Sequence, residues 1–250
     1  MFNLKKVKKA RKILKIATDL LFKIFQLILR YKETRKDYGI EIFEYFYLPW
    51  RADEEFSKKY DLFSEYTLNP KSRVYSLYTL SKKFLIDNTS YFEVGTWKGG
   101  VTGIVAMSNS EKNIDYFVCD TFTGVANVSD SDSFFKGNEY SDATLEDINV
   151  IKDILKKDLI VVEGIFPESF KNFELKRPIS FAHIDVDTYI SAKNSFEFIS
   201  RNALKGCVIV LDDYGGWFTD GVTSFGNELI ENSDYVAIPN HLGQLIIYLQ

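Results

Sequence analysis

Ile179-Ser180-Phe181-Ala182-His183-Ile184-Asp185 and Cys207-Val208-Ile209-Val210-Leu211-Asp212-Asp213 are two apolar runs that each end in acid. Runs of six or seven β-branched and aromatic residues read as strands buried on both faces. The helix-length stretch Tyr189 to Arg201 between them makes them parallel neighbours in one sheet. Their carboxyl ends then share an edge, and in an open α/β sheet that edge is where ligands bind. Asp185, Asp187, Asp212 and Asp213 gather there. Carboxylates this close repel each other at neutral pH, so either some hold protons or a hard cation lies between them. The expected occupant is a divalent cation; the plainer alternative is a solvated cluster of strand-end acids.

A second motif lies upstream, Tyr91-Phe92-Glu93-Val94-Gly95-Thr96-Trp97-Lys98-Gly99-Gly100, followed by helix-compatible Val101 to Ser108. A strand, a glycine turn and a helix start bring backbone N–H groups close to a ligand. The spacing does not fit the G-x-G-x-x-G dinucleotide fingerprint. The next strand, Asp115 to Cys119, ends at Asp120, where an acid is placed to accept hydrogen bonds from ribose hydroxyls. Together these features point to a nucleoside-bearing cofactor, with a helix-capping Asp120 as the alternative.

Length and composition bound the rest. The 250 residues, 46% of them hydrophobic, suffice for one α/β domain with an N-terminal extension. The net charge of -4 is unevenly spread: residues 1–36 carry 12 Lys/Arg against 2 Asp/Glu. Lys5, Lys6, Lys8, Lys9, Arg11 and Lys12 precede an amphipathic run whose polar stripe is Lys15, Asp19, Lys23, Gln26 and Arg30. Its charges interrupt the ~20 apolar residues a membrane span needs, and no cleavage site marks a secretory signal. Two readings stand: a helix lying in the headgroup layer of an anionic membrane, or one packing on its own domain or on a dimer partner. An acidic remainder without a recognition motif argues against nucleic acid. Cys119 and Cys207 fall inside expected core strands, so a disulfide is not expected and a reducing cytoplasm fits, with a peripheral position on the inner membrane face as the variant. Residues 37–70, rich in aromatics, read as a connecting or lid segment, and the catalytic domain is expected over 71–250.

Five motifs occur in order: Glu93-Val94-Gly95-Thr96-Trp97-Lys98-Gly99-Gly100, Asp120-Thr121-Phe122-Thr123-Gly124, Val162-Glu163-Gly164-Ile165-Phe166, His183-Ile184-Asp185-Val186-Asp187-Thr188-Tyr189 and Asp212-Asp213-Tyr214-Gly215-Gly216. In this the chain resembles the macrocin O-methyltransferase (TylF/MycF) family of S-adenosylmethionine-dependent sugar methyltransferases, over roughly residues 70–250. The resemblance implies that Glu93, Gly95 and Thr96 lie near the cofactor's amino-acid end, that Asp120 and Phe122 contact ribose and adenine, and that Gly164 and Ile165 contact adenine. It implies Asp185, Asp212 and Asp213 as magnesium ligands. Asp187 is expected to stabilise the helix start at Thr188-Tyr189. The chain departs from the family where it reads Val222-Thr223-Ser224-Phe225-Gly226-Asn227-Glu228.

The expected chemistry is methyl transfer to a sugar hydroxyl. A divalent ion can chelate two adjacent hydroxyls and favour one alkoxide. Asp185, His241 or Glu139 could take the proton, although His241 also reads as a plain turn residue, and His183 as structural. The polar stretch Thr123 to Ala143 is long enough to be functional, and the resemblance implies that it closes over the acceptor, with a disordered surface loop as the alternative; a helix capped by Thr144 follows. A C-terminal hairpin, Tyr235–Ile238 and Gln244–Leu249, completes a doubly wound, seven-stranded, mostly parallel α/β sheet. The expected acceptor is a sugar-containing small molecule or a lipid-linked glycan, in secondary-metabolite or cell-surface glycan assembly, and the protein is expected to be a homo-oligomer. The alternatives are a methyltransferase of catechol-like diols and a non-catalytic protein of glycan assembly with the same fold.

Overall fold

The computed structural model describes residues 48–250. The basic amphipathic helix expected over 1–36, and the connecting segment as far as Tyr47, lie outside the described residues. Among the described residues no helix is long and apolar enough to cross a membrane.

In chain order the elements are α1 (Glu54–Phe63), α2 (Lys71–Phe84), β1 (Ser90–Val94), α3 (Gly100–Ser108), β2 (Asp115–Asp120), α4 (Leu145–Leu155), β3 (Ile160–Glu163), β4 (Ile179–Ile184), α5 (Tyr189–Arg201), β5 (Ala203–Leu211), α6 (Asp220–Glu231), β6 (Tyr235–Pro239) and β7 (Leu245–Leu249). They form one seven-stranded sheet in the order β3-β2-β1-β4-β5-β7-β6. β1 to β5 pair in parallel, and β7 runs antiparallel to both β5 and β6. This is the doubly wound sheet with a C-terminal antiparallel hairpin that the apolar runs predict. The second apolar run starts earlier than expected, at Ala203, because Ala203 already pairs with Ile179 before a register shift aligns Val208 with Phe181.

Every residue of β1 and β4 is buried, because helices cover both faces. Tyr91, Tyr116, Phe181, Val208 and Val210 pack against α1 to α4. Phe92, Phe117, Ala182, Ile209 and Leu211 face α5 and α6. α5 shows why it docks: Ala192, Ser195, Phe196 and Ile199 recur at spacings of three and four and are buried. α1 buries Phe56 and Phe63 completely. Residues 48–70, read from sequence as a connector or lid, therefore contribute rings to the core, and one compact unit spans Leu48–Gln250.

The loop from Thr121 to Ala143 is folded and fastened. Val125 bridges it through its backbone, donating to Glu139 O at 2.9 Å and accepting from Asn138 N at 3.1 Å. Asp132 accepts from the amide and hydroxyl of Ser129 through Oδ2, and from the Tyr189 amide through Oδ1 at 2.9 Å. The start of α5 is therefore held by Asp132, a loop residue, and not by Asp187 as the sequence spacing suggested. The Ser133 amide reaches Asp220 at the start of α6. The predicted cap at Thr144 is present, as a capping box with Asp147. Replacing Asp132 with alanine removes a helix cap and two loop bonds. It is expected to lower stability by about 1–2 kcal/mol in urea unfolding and to speed proteolytic cleavage within 121–143; unchanged cleavage would contradict this role for Asp132.

Candidate active site

The order β2-β1-β4-β5 reverses direction between β1 and β4, and the crevice at that reversal is where doubly wound sheets bind ligands. The strand ends here are level: Val94 pairs with Ile184, and Ile184 with Leu211. The ladder continues one residue further, with Gly95 N donating to Cys119 O, Asp185 N to Val94 O, Asp212 N to Ile184 O and Gly164 N to Asp120 O, all at 2.8–2.9 Å. Gly95, Asp120, Gly164, Asp185 and Asp212 are thus placed by sheet geometry alone. Above them lies a cavity of about 270 Å³, close to the lower bound of ~300 Å³ for small-molecule sites. It is lined by Gly95, Thr96, Asp120, Gly164 and Ile165, and by the polar side chains of Asn69, Arg73, Tyr140, Asp185, Asp187 and Asp213.

Gly95 is left-handed, at φ +84°. A Cβ there would overlap the carbonyl oxygen of Asp185, so the turn needs glycine for the meeting of β1 and β4 before any ligand is considered. Asp120 fixes the same turn, accepting from Trp97 N at 2.8 Å and Phe122 N at 2.9 Å. Burial pushes its carboxyl above the usual range, against the pull of those amides. Phe122 does not face the cavity; it packs with the α1–α4 layer. Ser195 Oγ, in contrast, is buried on the cavity wall with no hydrogen-bond partner, a polar group that a nucleoside could satisfy.

A buried row of charge runs below the crevice. His183 Nδ1 meets Glu93 Oε1 at 3.1 Å, and Nε2 meets Asp212 Oδ2 at 3.0 Å. Burial lowers the imidazole's pKa, but the bonds to Asp212 and Glu93 outweigh it and raise the value to about 10. Both ring nitrogens therefore carry protons, and His183 is structural, as its position in the strand suggested. Glu93, which also lines the cavity, accepts from Thr96 and Thr102 as well. A pKa raised on folding stabilises fully below the unfolded value near 6.5, and that contribution is lost as pH climbs through about 10. Wild type is accordingly expected to lose on the order of 3–5 kcal/mol between pH 6.5 and 10 in urea titrations, and His183→Gln to flatten that slope; parallel slopes would refute the charged row.

Asp185 and Asp212 approach each other together with His183, and Asp212 and Asp213 approach a common point. What lies between them is the guanidinium of Arg73. Its Nη1 is 2.9 Å from Asp212 Oδ1 and 2.6 Å from Asp213 Oδ1, while Asn69 Nδ2 donates to Asp185 Oδ2 at 2.8 Å. Burial, then Asp212 and Asp213, push the Asp185 carboxyl well above the ordinary range. Asp187 shares a hydrogen bond with Asp213 and is raised to about 8, by burial first and Asp213 next. The two other expected proton acceptors are elsewhere. His241 lies on the exposed turn after β6 and does not line the cavity. Glu139 does not line it either; its Oε1 accepts from the Lys136 amide at 2.9 Å, which holds its pKa down. Sequence reading missed Arg73 and Asn69, which flank Pro70 and reach Asp213 and Asp185 across 140 and 116 residues of chain.

Residues 92–214 match the family described as methyltransferase domain. The match spans just under half of the chain. The chain's fold is shared with solved methyltransferases. The structure of the O-methyltransferase NovP is 14% identical, with TM-score 0.59 over 74% of this chain and 82% of that one. CalS11, a calicheamicin methyltransferase, is 17% identical, with TM-score 0.58 over 85% and 99%. An O-methyltransferase from Bacillus cereus in complex with SAH is 13% identical, with TM-score 0.52 over 88% and 96%. No curated protein matches. The matched stretch runs from within β1 past the end of β5, and so includes every strand end that frames the cavity.

Proposed function

We propose that the protein moves the methyl group of S-adenosylmethionine to a hydroxyl of a sugar-bearing acceptor. The observation that carries this reading is the cavity at the β1/β4 reversal, lined by the Gly95 turn and Asp120 together with a dense set of polar side chains. The cofactor half is supported by Gly95, Thr96, Asp120, Gly164, Ile165 and the unpartnered Ser195 hydroxyl, and by fold-sharing O-methyltransferases solved with SAH or SAM. When bound, the sulfonium supplies an activated methyl. The chain's own residues have three tasks: to orient the acceptor oxygen, to exclude water and to take the hydroxyl proton.

Asn69, Arg73, Tyr140, Asp185, Asp187 and Asp213 present donors and acceptors in several directions, which suits a polyhydroxylated ring better than the flat apolar face of a catechol. Asp185 takes the proton in this reading, because it faces the cavity and its raised pKa makes it the stronger base. The loop 121–143, pinned by Asp132, covers the crevice with Val125, Ala126 and Tyr140. The lysines and arginines of residues 1–36 favour a lipid-linked acceptor at an anionic surface, in the cytoplasm, where the free Cys119 and Cys207 persist.

Magnesium on Asp185, Asp212 and Asp213 was the finer part of the sequence reading. The donor set does not fit it as arranged: Asp212 is engaged through both oxygens by Arg73, His183 and Gln244, and Asp213 Oδ1 by Arg73. No step is assigned to a metal. Calorimetry with S-adenosylmethionine, followed by transfer of labelled methyl to nucleotide sugars, lipid-linked glycans and catechols, tests the function. Saturable binding and label on the sugars are expected. Label on catechols alone would replace the acceptor class, and absence of binding would favour a non-catalytic protein of the same fold.

A further inference from the structure

The geometry points to Arg73 as the resident cation of the acceptor site: its guanidinium fills the place between the strand-end carboxylates that a divalent ion would take, keeps such ions out and makes transfer independent of them. The inference rests on the methyl-transfer reading given above and concerns how that site is charged.

Arg73 sits in a shaped socket. It lies in the first turn of α2, directly after Pro70, and its side chain is only 18% exposed. Nε donates to the carbonyl of Leu242 at 2.7 Å, and Nη1 to Asp213 at 2.6 Å. Gly243, in the β6–β7 turn at φ +80°, completes the socket: a Cβ there would stand 2.7 Å from Nη2. The turn is itself stiff, with the Leu242 and Gln244 amides both bonded to Asn240 Oδ1. A side chain held by two carboxylates and a carbonyl, in a space that one added methyl would close, is a built-in fixture.

The remaining donors are equally committed. His183, the nitrogen ligand that among the described residues is close enough to join Asp185 and Asp212 around an ion, has both ring nitrogens directed at carboxylates. Asp185 keeps Asn69. A divalent ion needs deprotonated, unpaired oxygens, and here it must first evict a guanidinium bridging two of its three ligands. A bridging guanidinium also retains N–H groups beyond those used by the aspartates and Leu242. Its fixed positive charge on the cavity wall can stabilise negative charge developing on an acceptor oxygen, which is the role otherwise left to a metal.

The test uses the full chain. Wild type, Arg73→Ala and Gly243→Ala are titrated with MgCl2 and MnCl2 in a calorimeter, in the presence and absence of S-adenosylmethionine, and wild-type transfer is measured after dialysis against EDTA. Wild type should give no saturable metal heat at millimolar concentration and lose less than twofold in rate with EDTA. Arg73→Ala, with its carboxylates unbridged, should gain at least tenfold in Mn2+ affinity. Gly243→Ala should shift the same way by crowding the guanidinium out, which keeps the test alive if Arg73→Ala does not fold. Tight metal binding by wild type, abolition of transfer by EDTA, or no gain in either variant would overturn the inference. Cofactor binding is read in the same titrations: its loss would count against the methyl-transfer reading, whereas cofactor binding together with a metal requirement would count against Arg73 alone.

Discussion

Gly95→Ala is expected to lower stability by about 2–4 kcal/mol and to weaken S-adenosylmethionine binding at least about thirtyfold, since 2 kcal/mol expressed in binding corresponds to that factor. Two effects add. The left-handed backbone at φ +84° disfavours any side chain, and the new methyl would overlap the Asp185 carbonyl. The only relief is to part β1 from β4, which moves the Gly95 and Asp185 amides off Cys119 and Val94 and displaces the turn that faces the cofactor. Thermal unfolding with and without cofactor, together with calorimetry, separates the two losses. Near-wild-type binding by Gly95→Ala would mean that the crevice is not where the nucleoside sits.

Asp185→Asn should reduce kcat on the order of 10²–10⁴-fold, the usual range for removing a positioned general base, with the affinity for cofactor little changed. Asp185 lies one residue past β4, faces the cavity and has a pKa pushed up by burial and then by Asp212 and Asp213. The amide preserves shape and leaves Asn69 a partner oxygen, so the loss would report the missing proton acceptor instead of collapse. Glu139→Gln and His241→Ala, measured beside it, should each stay within about threefold of wild type, since neither residue lines the cavity. A large loss in either of them and none in Asp185→Asn would move the base out of β4.

How much of this was legible beforehand follows from where the information resides. β1, β4 and β5 could be read because a strand buried on both faces needs a continuous apolar run, and the residue after each run falls on one edge by register alone. Gly95, Asp120, Asp185 and Asp212 were placed by that logic, whereas Gly164 came only from the family resemblance. Arg73 was not, because a basic residue in the first turn of an amphipathic helix looks like any solvated lysine or arginine until the fold brings it beside Asp212 and Asp213. Asp187 and Asp132 exchanged roles for a related reason: local spacing favoured the nearer acid as a helix cap, whereas Asp187 adopts φ +63° and turns toward Asp213. His241, read either as a proton acceptor or as a plain turn residue, stands on an exposed turn whose Leu242 carbonyl holds Arg73.

The covering segment 121–143 is tied to the first turns of two separate helices, through Asp132 to Tyr189 and Ser133 to Asp220. Such a cover does not swing like a flap on one hinge; opening it frays α5 and α6 together. Escape of the spent nucleoside is then expected to share the steep temperature dependence of helix-end melting, so that in the cold the catalytic cycle is paced by discharge and not by the bond change.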